Sequence, residues 1–175
     1  YIRPEKSPKV ISHLNEVSMP ELPAAHPESL KLIVEYLVKK LGMLDVKIFD
    51  LRDDSDNAIN DGAKYMATFM VICTGKSGKH LQKATELLSY FLKHKLHEVP
   101  ATEGIFSNGE FNKIQRRLKK KGRGAPQYAK FNYGASPNTW VMTNCKVDGI
   151  YVHMLTKDRR EDLNLENLWS KDKSR

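Results

Sequence analysis

The stretch with most chemical promise is Val71-Ile-Cys-Thr-Gly-Lys-Ser-Gly-Lys-His80, where an apolar run ends in a Gly-Lys-Ser cluster and a helical pattern follows. A phosphate-binding loop looks much like this. Such a loop wraps successive backbone N–H groups around a phosphate, which requires a glycine five residues before its Gly-Lys. That position is Met70. In the shifted frame, Gly78-Lys79-His80, it is Cys73, and His80 stands where a Mg²⁺-binding hydroxyl belongs. No G-x-G-x-x-G follows a strand, so a dinucleotide fingerprint is missing too. Two-metal nucleotidyl transfer is the next candidate, and it needs carboxylates aligned on a strand. Neither strand of the C-terminal hairpin carries D-x-D, and Asp53, Asp54 and Asp56 read as a solvated turn. His80 opens a helix and His153 lies mid-strand, so each reads as a packed or hydrogen-bonding histidine. Cys73 and Cys145 sit in apolar runs and are expected to be buried free thiols; no His or Cys spacing suits a zinc site. The residues thus favour a non-enzyme with no catalytic residues, no metal and no cofactor. The alternatives are a nucleotidyltransferase-fold enzyme with a displaced metal site at Asp53 and Asp56, and a general RNA-binding module.

The elements around these residues follow from periodicity. Leu30, Ile33, Val34, Leu37, Val38 and Leu41 recur at helical spacing, predicting a helix that starts near Pro27 and is capped by Gly42. Residues 44–51 alternate as a strand, and the apolar run 67–73 fits a strand covered on both faces. Leu81, Ala84, Leu88, Phe91 and Leu92 mark one face of a second helix reaching about His97. Its opening loop has Gly75 and Gly78 for a tight turn and Ser77 as N-cap. Residues 139–144 and 149–155 form a hairpin about Asp148-Gly149, and residues 161–169 have turn-or-helix character. The sum is an α/β domain: a small mixed β-sheet with helices packed on it. Residues 1–26, with Pro4, Pro8, Pro20 and Pro23, read as an extended arm or linker; the domain runs over 27–170, and 171–175 is a polar tail. The opening at Tyr1, without Met or a signal pattern, is expected of a processed or trimmed chain.

The 175 residues are 40% hydrophobic and 29% charged, with a formal charge of +8, which favours an anionic partner. No apolar stretch is long enough to cross a bilayer, so no membrane insertion is expected. Most of the charge sits in an insertion at about 108–137, in Lys113, Arg116, Arg117, Lys119, Lys120, Lys121 and Arg123. A basic helix there would have only Phe111, Ile114 and Leu118 as its apolar face, too little for a membrane surface. RNA phosphate is the better partner, with Tyr128, Phe131 and Tyr133 available for stacking.

The order of motifs resembles the Iojap/ribosomal silencing factor family. The matching residues are Thr74, Gly75, Ser77 and His80, then Glu103-Gly104, then Trp140-Val141, Val152-His153, Arg160, and the ending Leu165-Glu166-x-Leu168-Trp169. The resemblance covers about residues 28–170 apart from the insertion. It implies a fold like a nucleotidyltransferase without catalytic carboxylates. It also implies binding to the large ribosomal subunit through ribosomal protein uL14, hindering premature subunit joining or aiding assembly. Thr68, Thr143-Asn144-Cys145 and Leu163 depart from the family pattern. The long basic insertion points to an organellar relative, in the mitochondrial matrix, with rRNA as the insertion's partner.

On this reading the protein-docking residues are Trp140, Tyr151, His153, Arg160, Leu165, Glu166, Leu168 and Trp169, with Leu168 and Trp169 as anchors at the domain's edge. Lys76, Ser77, Lys79 and His80 are expected to project from the rim of the strand-to-helix loop, where they could form a second part of that face.

Overall fold

The computed structural model describes residues 18–52, 67–107 and 138–169, with Gly109, Glu110, Asn112, Lys113 and Arg116 from the insertion. Asp53, Asp54 and Asp56, the remaining insertion cations and its aromatics lie outside the described residues.

Helix α1 spans Glu28–Glu35 and continues into a π-helical turn, Tyr36–Lys40. Pro27 is its extended N-cap rather than its first helical residue, with ψ at 151°. Gly42 ends the element at φ +63°, a left-handed position that glycine takes without Cβ strain. Strand β1, Leu44–Asp50, leads to β2, Phe69–Gly75. Helix α2 covers Gly78–Lys95, its N-cap Ser77 accepting from the His80 N–H. A short strand β3, Ala101–Glu103, follows, with β4, Trp140–Asn144, and β5, Ile150–Thr156. Helix α3, Lys157–Leu163, and a single turn α4, Glu166–Trp169, close the described chain. Sequence reading missed β3, whose three residues are too few for a period-2 signal.

The strands form one mixed sheet in the order β1-β2-β5-β4-β3. β2 and β5 run parallel in the middle, and every other pairing is antiparallel. Central position explains the continuous apolar run of β2: Val71, Ile72 and Cys73 are each wholly buried. The β4–β5 hairpin turns through Asp148 and Gly149, both at positive φ.

Strand alternation gives the sheet two unlike faces. Phe69, Val71, Cys73, Val141, Ile150, Val152 and Met154 pack with Leu30, Ile33, Val34 and Leu37 of α1 and Leu81, Leu88 and Leu92 of α2. Each buried Leu or Ile contributes about 1.5–3 kcal/mol relative to exposure. The other face carries Phe49, Met70, Tyr151, His153, Trp140, Met142 and Asn144, and a smaller cluster there includes Trp169. The start of the described chain is not loose: Leu22 packs on the core, and Arg52 donates to the carbonyls of Ala24 and Ala25.

Candidate docking face

Parallel pairing of β2 with β5 sets Met70 beside Tyr151 and Ile72 beside His153, while β4 sets Met142 opposite His153 and Asn144 opposite Tyr151. The face away from α1 and α2 therefore has an aromatic and polar centre. The Trp140 indole N–H donates to His153 Nδ1 at 3.1 Å, and Asn144 donates to the Tyr151 hydroxyl at 2.8 Å. The Trp169 ring lies against His153, centroids 5.7 Å apart, and against Phe49 at 6.4 Å. His153 is only 4% exposed, and burial pushes its pKa down to about 4. It is neutral at pH 7, and because Nδ1 accepts from Trp140 its proton sits on Nε2, a buried atom without a hydrogen-bond partner among the described residues.

Arg160 holds the tail onto this face. Its guanidinium donates to the Asp45 carbonyl and to Thr74 Oγ1, each at 2.7 Å, and to Glu166 Oε1 from Nε at 2.6 Å. Asp45 Oδ2 lies 3.3 Å away as an ion pair, and Lys47 holds the other Glu166 oxygen at 2.8 Å. Partial burial pushes the Glu166 carboxyl up, but the hydrogen bonds and charges of Lys47 and Arg160 outweigh it and leave it below the usual range. A cavity of about 430 Å³ opens beside this clamp, lined by Leu44, Asp45, Thr74, Lys157, Arg160, Glu161, Asn164 and Glu166.

The residues expected to dock divide into two groups. Arg160 and His153 are buried, at 8% and 4% exposure; the Arg160 guanidinium and His153 Nδ1 serve contacts within the chain. They differ from the expected surface residues because each lies at the meeting of several elements: Arg160 joins β1, β2 and α4, and His153 lies between two tryptophans. Trp140 and Leu168 are exposed, at 37% and 52%, while Tyr151, Leu165, Glu166 and Trp169 are half-buried. Trp169 is thus neither sealed nor free: its one side rests on His153 and Phe49. The loop also differs from expectation. His80 does not project; its Nδ1 accepts from the Lys76 N–H at 3.0 Å and its Nε2 reaches the Leu41 carbonyl at 2.7 Å, tying the end of α1 to the start of α2. Lys76, Ser77 and Lys79 are exposed.

Other motif residues have internal roles as well. A Cβ on Gly75 would lie 2.3 Å from Leu81 Cδ2, and one on Gly104 would lie 2.3 Å from the Trp140 carbonyl oxygen. Gly75 thus serves close packing, since only Gly104 of the two has positive φ. Of the departing positions, Thr68 packs on Gly149, Thr143 and Cys145 are buried, and Asn144 bonds Tyr151. Sequence reading missed Asp45, Lys47 and Phe49, whose partners lie over a hundred residues away in the chain; the chain carries no local signal for them. In the insertion, Lys113 and Arg116 are helical and exposed; Arg117, Lys119, Lys120, Lys121 and Arg123 lie outside the described residues. Cys73 and Cys145 are free and buried, and burial pushes both thiols up to about 12.

Fold and site together define a small mixed-sheet α/β domain with one helix-covered face and one aromatic face clamped by a C-terminal tail. The chain belongs to the family described as ribosomal silencing factor during starvation, whose model matches residues 23–175. Among curated proteins it is similar to the mitochondrial ATPase synthesis protein 25 of Komagataella phaffii, 42% identical over 155 residues, covering 87% of this chain and 24% of that one. The protein of the same name from Candida tropicalis is 39% identical over 171 residues, covering 97% of this chain and 30% of that one. The chain thus spans less than a third of the length of these relatives. A solved structure from Bacillus halodurans aligns over 82% of this chain and 95% of its own at TM-score 0.46 and 18% identity, a distance that carries no functional weight.

Proposed function

We propose that the chain is a non-catalytic, ribosome-associated factor of the mitochondrial matrix that docks on the large subunit through uL14. Docked there it hinders premature joining of the small subunit, aids large-subunit assembly, or both. Family membership supports association with the ribosome, and the mitochondrial names of the relatives support the compartment. The observation that carries the docking face is the exposed Trp140 and the half-buried Trp169, both against His153 on the sheet face that lacks the α1–α2 layer, with the exposed Leu168 next to Trp169 in the chain. Exposed aromatic and aliphatic anchors beside ordered polar groups are what a specific protein interface uses. Arg160, Glu166 and His153 support that face from beneath, while the basic insertion reaches rRNA.

Co-sedimentation with isolated mitochondrial large subunits, with naked rRNA as the control, tests the reading. Leu168→Asp places a charge at a site already 52% exposed, so the fold is kept and subunit binding falls at least about tenfold. Undiminished co-sedimentation of that variant removes this face from the docking role.

A further inference from the structure

Several of the described cations are paired. Lys47, Arg52, Lys83 and Arg160 each have a carboxylate partner, and Lys39 lies 3.7 Å from Glu35. Lys40, Lys76, Lys79 and Lys157 are exposed and have no carboxylate within 4.0 Å among the described residues. These four come from three separate parts of the chain, yet the fold gathers them. Gly75 pairs with Thr156 at the end of the parallel strands, so Lys76 and Lys157 leave adjacent strands side by side. The His80 ring reaches the Leu41 carbonyl at 2.7 Å, which brings the chain just after Lys40 against the residue that follows Lys79. The first turn of α2 holds Lys79 and no acid, an arrangement the helix dipole disfavours. Lys93 and Lys95, by contrast, stand in the last turn of α2, where the dipole favours them.

We propose that this rim is a second nucleic-acid contact, a phosphate-backbone grip on duplex RNA separate from the basic insertion. It rests on the ribosome-associated reading for the identity of the polyanion, and on the gathered lysines for the rest. Four free ammonium groups at one end of the sheet suit a line of phosphates, and their lack of bidentate geometry suits sequence-independent contact. The docking face lies on the far side of the sheet from α2, so protein and RNA contacts can be made together. His80 is the residue that brings two parts of the rim into register.

The test measures binding of the full chain to a duplex RNA hairpin across a salt series. Replacing Lys40, Lys76, Lys79 and Lys157 together by Gln lowers the slope of log Kobs against log salt by about 0.9 per lost phosphate contact, or about 3 to 4 in all. The same exchange at the exposed lysines Lys31, Lys93, Lys95 and Lys146 leaves the slope unchanged. An unchanged slope in the rim variant overturns the proposal, and so does an equal fall in the control variant, which would mean diffuse charge. Loss of binding to vesicles of anionic lipid with RNA binding intact overturns it as well. Because the hairpin contains no ribosomal protein, failure of uL14 docking leaves this result untouched, and failure here leaves Leu168→Asp to be judged separately.

Discussion

Arg160 shows how much one side chain can decide. Its guanidinium satisfies a β1 carbonyl, a β2 hydroxyl and the α4 carboxylate at once. Removing one partner of such a group leaves the others unpaired, which costs more than the net worth of the contacts. Arg160→Leu is expected to lower stability by about 2–3 kcal/mol in urea titration, at the lower end because Asp45 is 63% exposed. His153 makes a second prediction, with a definite sign. Its folded pKa, about 4, lies below a histidine's ordinary 6.5, so the unfolded chain binds the extra proton first. The stability held by the neutral ring is fully present above pH 6.5 and is lost as pH falls toward 4. A tenfold difference in proton affinity between the folded and unfolded chain corresponds to about 1.4 kcal/mol. His153→Gln keeps an acceptor for Trp140 and flattens that part of the pH–stability curve; a curve identical to the parent's refutes the assignment. Gly75→Ala tests packing rather than charge: its new Cβ meets Leu81 at 2.3 Å, and overpacking of this kind costs about 1–3 kcal/mol, read as a lowered Tm.

Among the elements, the β4–β5 hairpin is the piece whose conformation and packing are most tightly linked. Gly149 holds φ +63°, its carbonyl accepts from the Thr68 and Phe69 N–H groups, and a Cβ there would meet Thr68 Oγ1 at 2.4 Å. Gly149→Ala therefore suffers twice, from the left-handed backbone and from the clash, with an expected loss of about 2 kcal/mol or more by thermal or urea unfolding. The turn was readable from Asp148-Gly149, the two central residues that Val147 and Ile150 close with a hydrogen bond, because both need positive φ and few residue types supply it. That the loop also takes in Lys146 at φ +59° was not readable. The helices were readable too: apolar spacing located α1 and α2, and Ser77 and Gly42 marked where one begins and the other ends. The π-helical turn at Tyr36–Lys40 was not, since its widening is visible only in the Leu41 N–H reaching back to the Tyr36 carbonyl.

The two faces of the sheet differ in kind: helices α1 and α2 cover one, and the aromatic tail dresses the other. Neutralising the insertion cations Lys113, Arg116, Arg117, Lys119, Lys120, Lys121 and Arg123 is expected to weaken rRNA binding and flatten its salt dependence, while docking on isolated uL14 persists. An unchanged salt slope counts against RNA contact through the insertion.

Composition, period and turn chemistry are local properties, so the sequence by itself determined the α/β class, the two long helices, the hairpin and the family. It also named most residues that matter, because the motif positions Thr74, Gly75, Ser77, His80, Arg160 and Glu166 do hold the structure together. Their duties were another matter. Whether a histidine projects or ties two helices, and whether an arginine docks a partner or clamps a tail, depends on neighbours as far away as the 115 positions between Asp45 and Arg160. Only the folded sheet brings those neighbours within a few ångströms, and hydrogen bonding and burial act at that range.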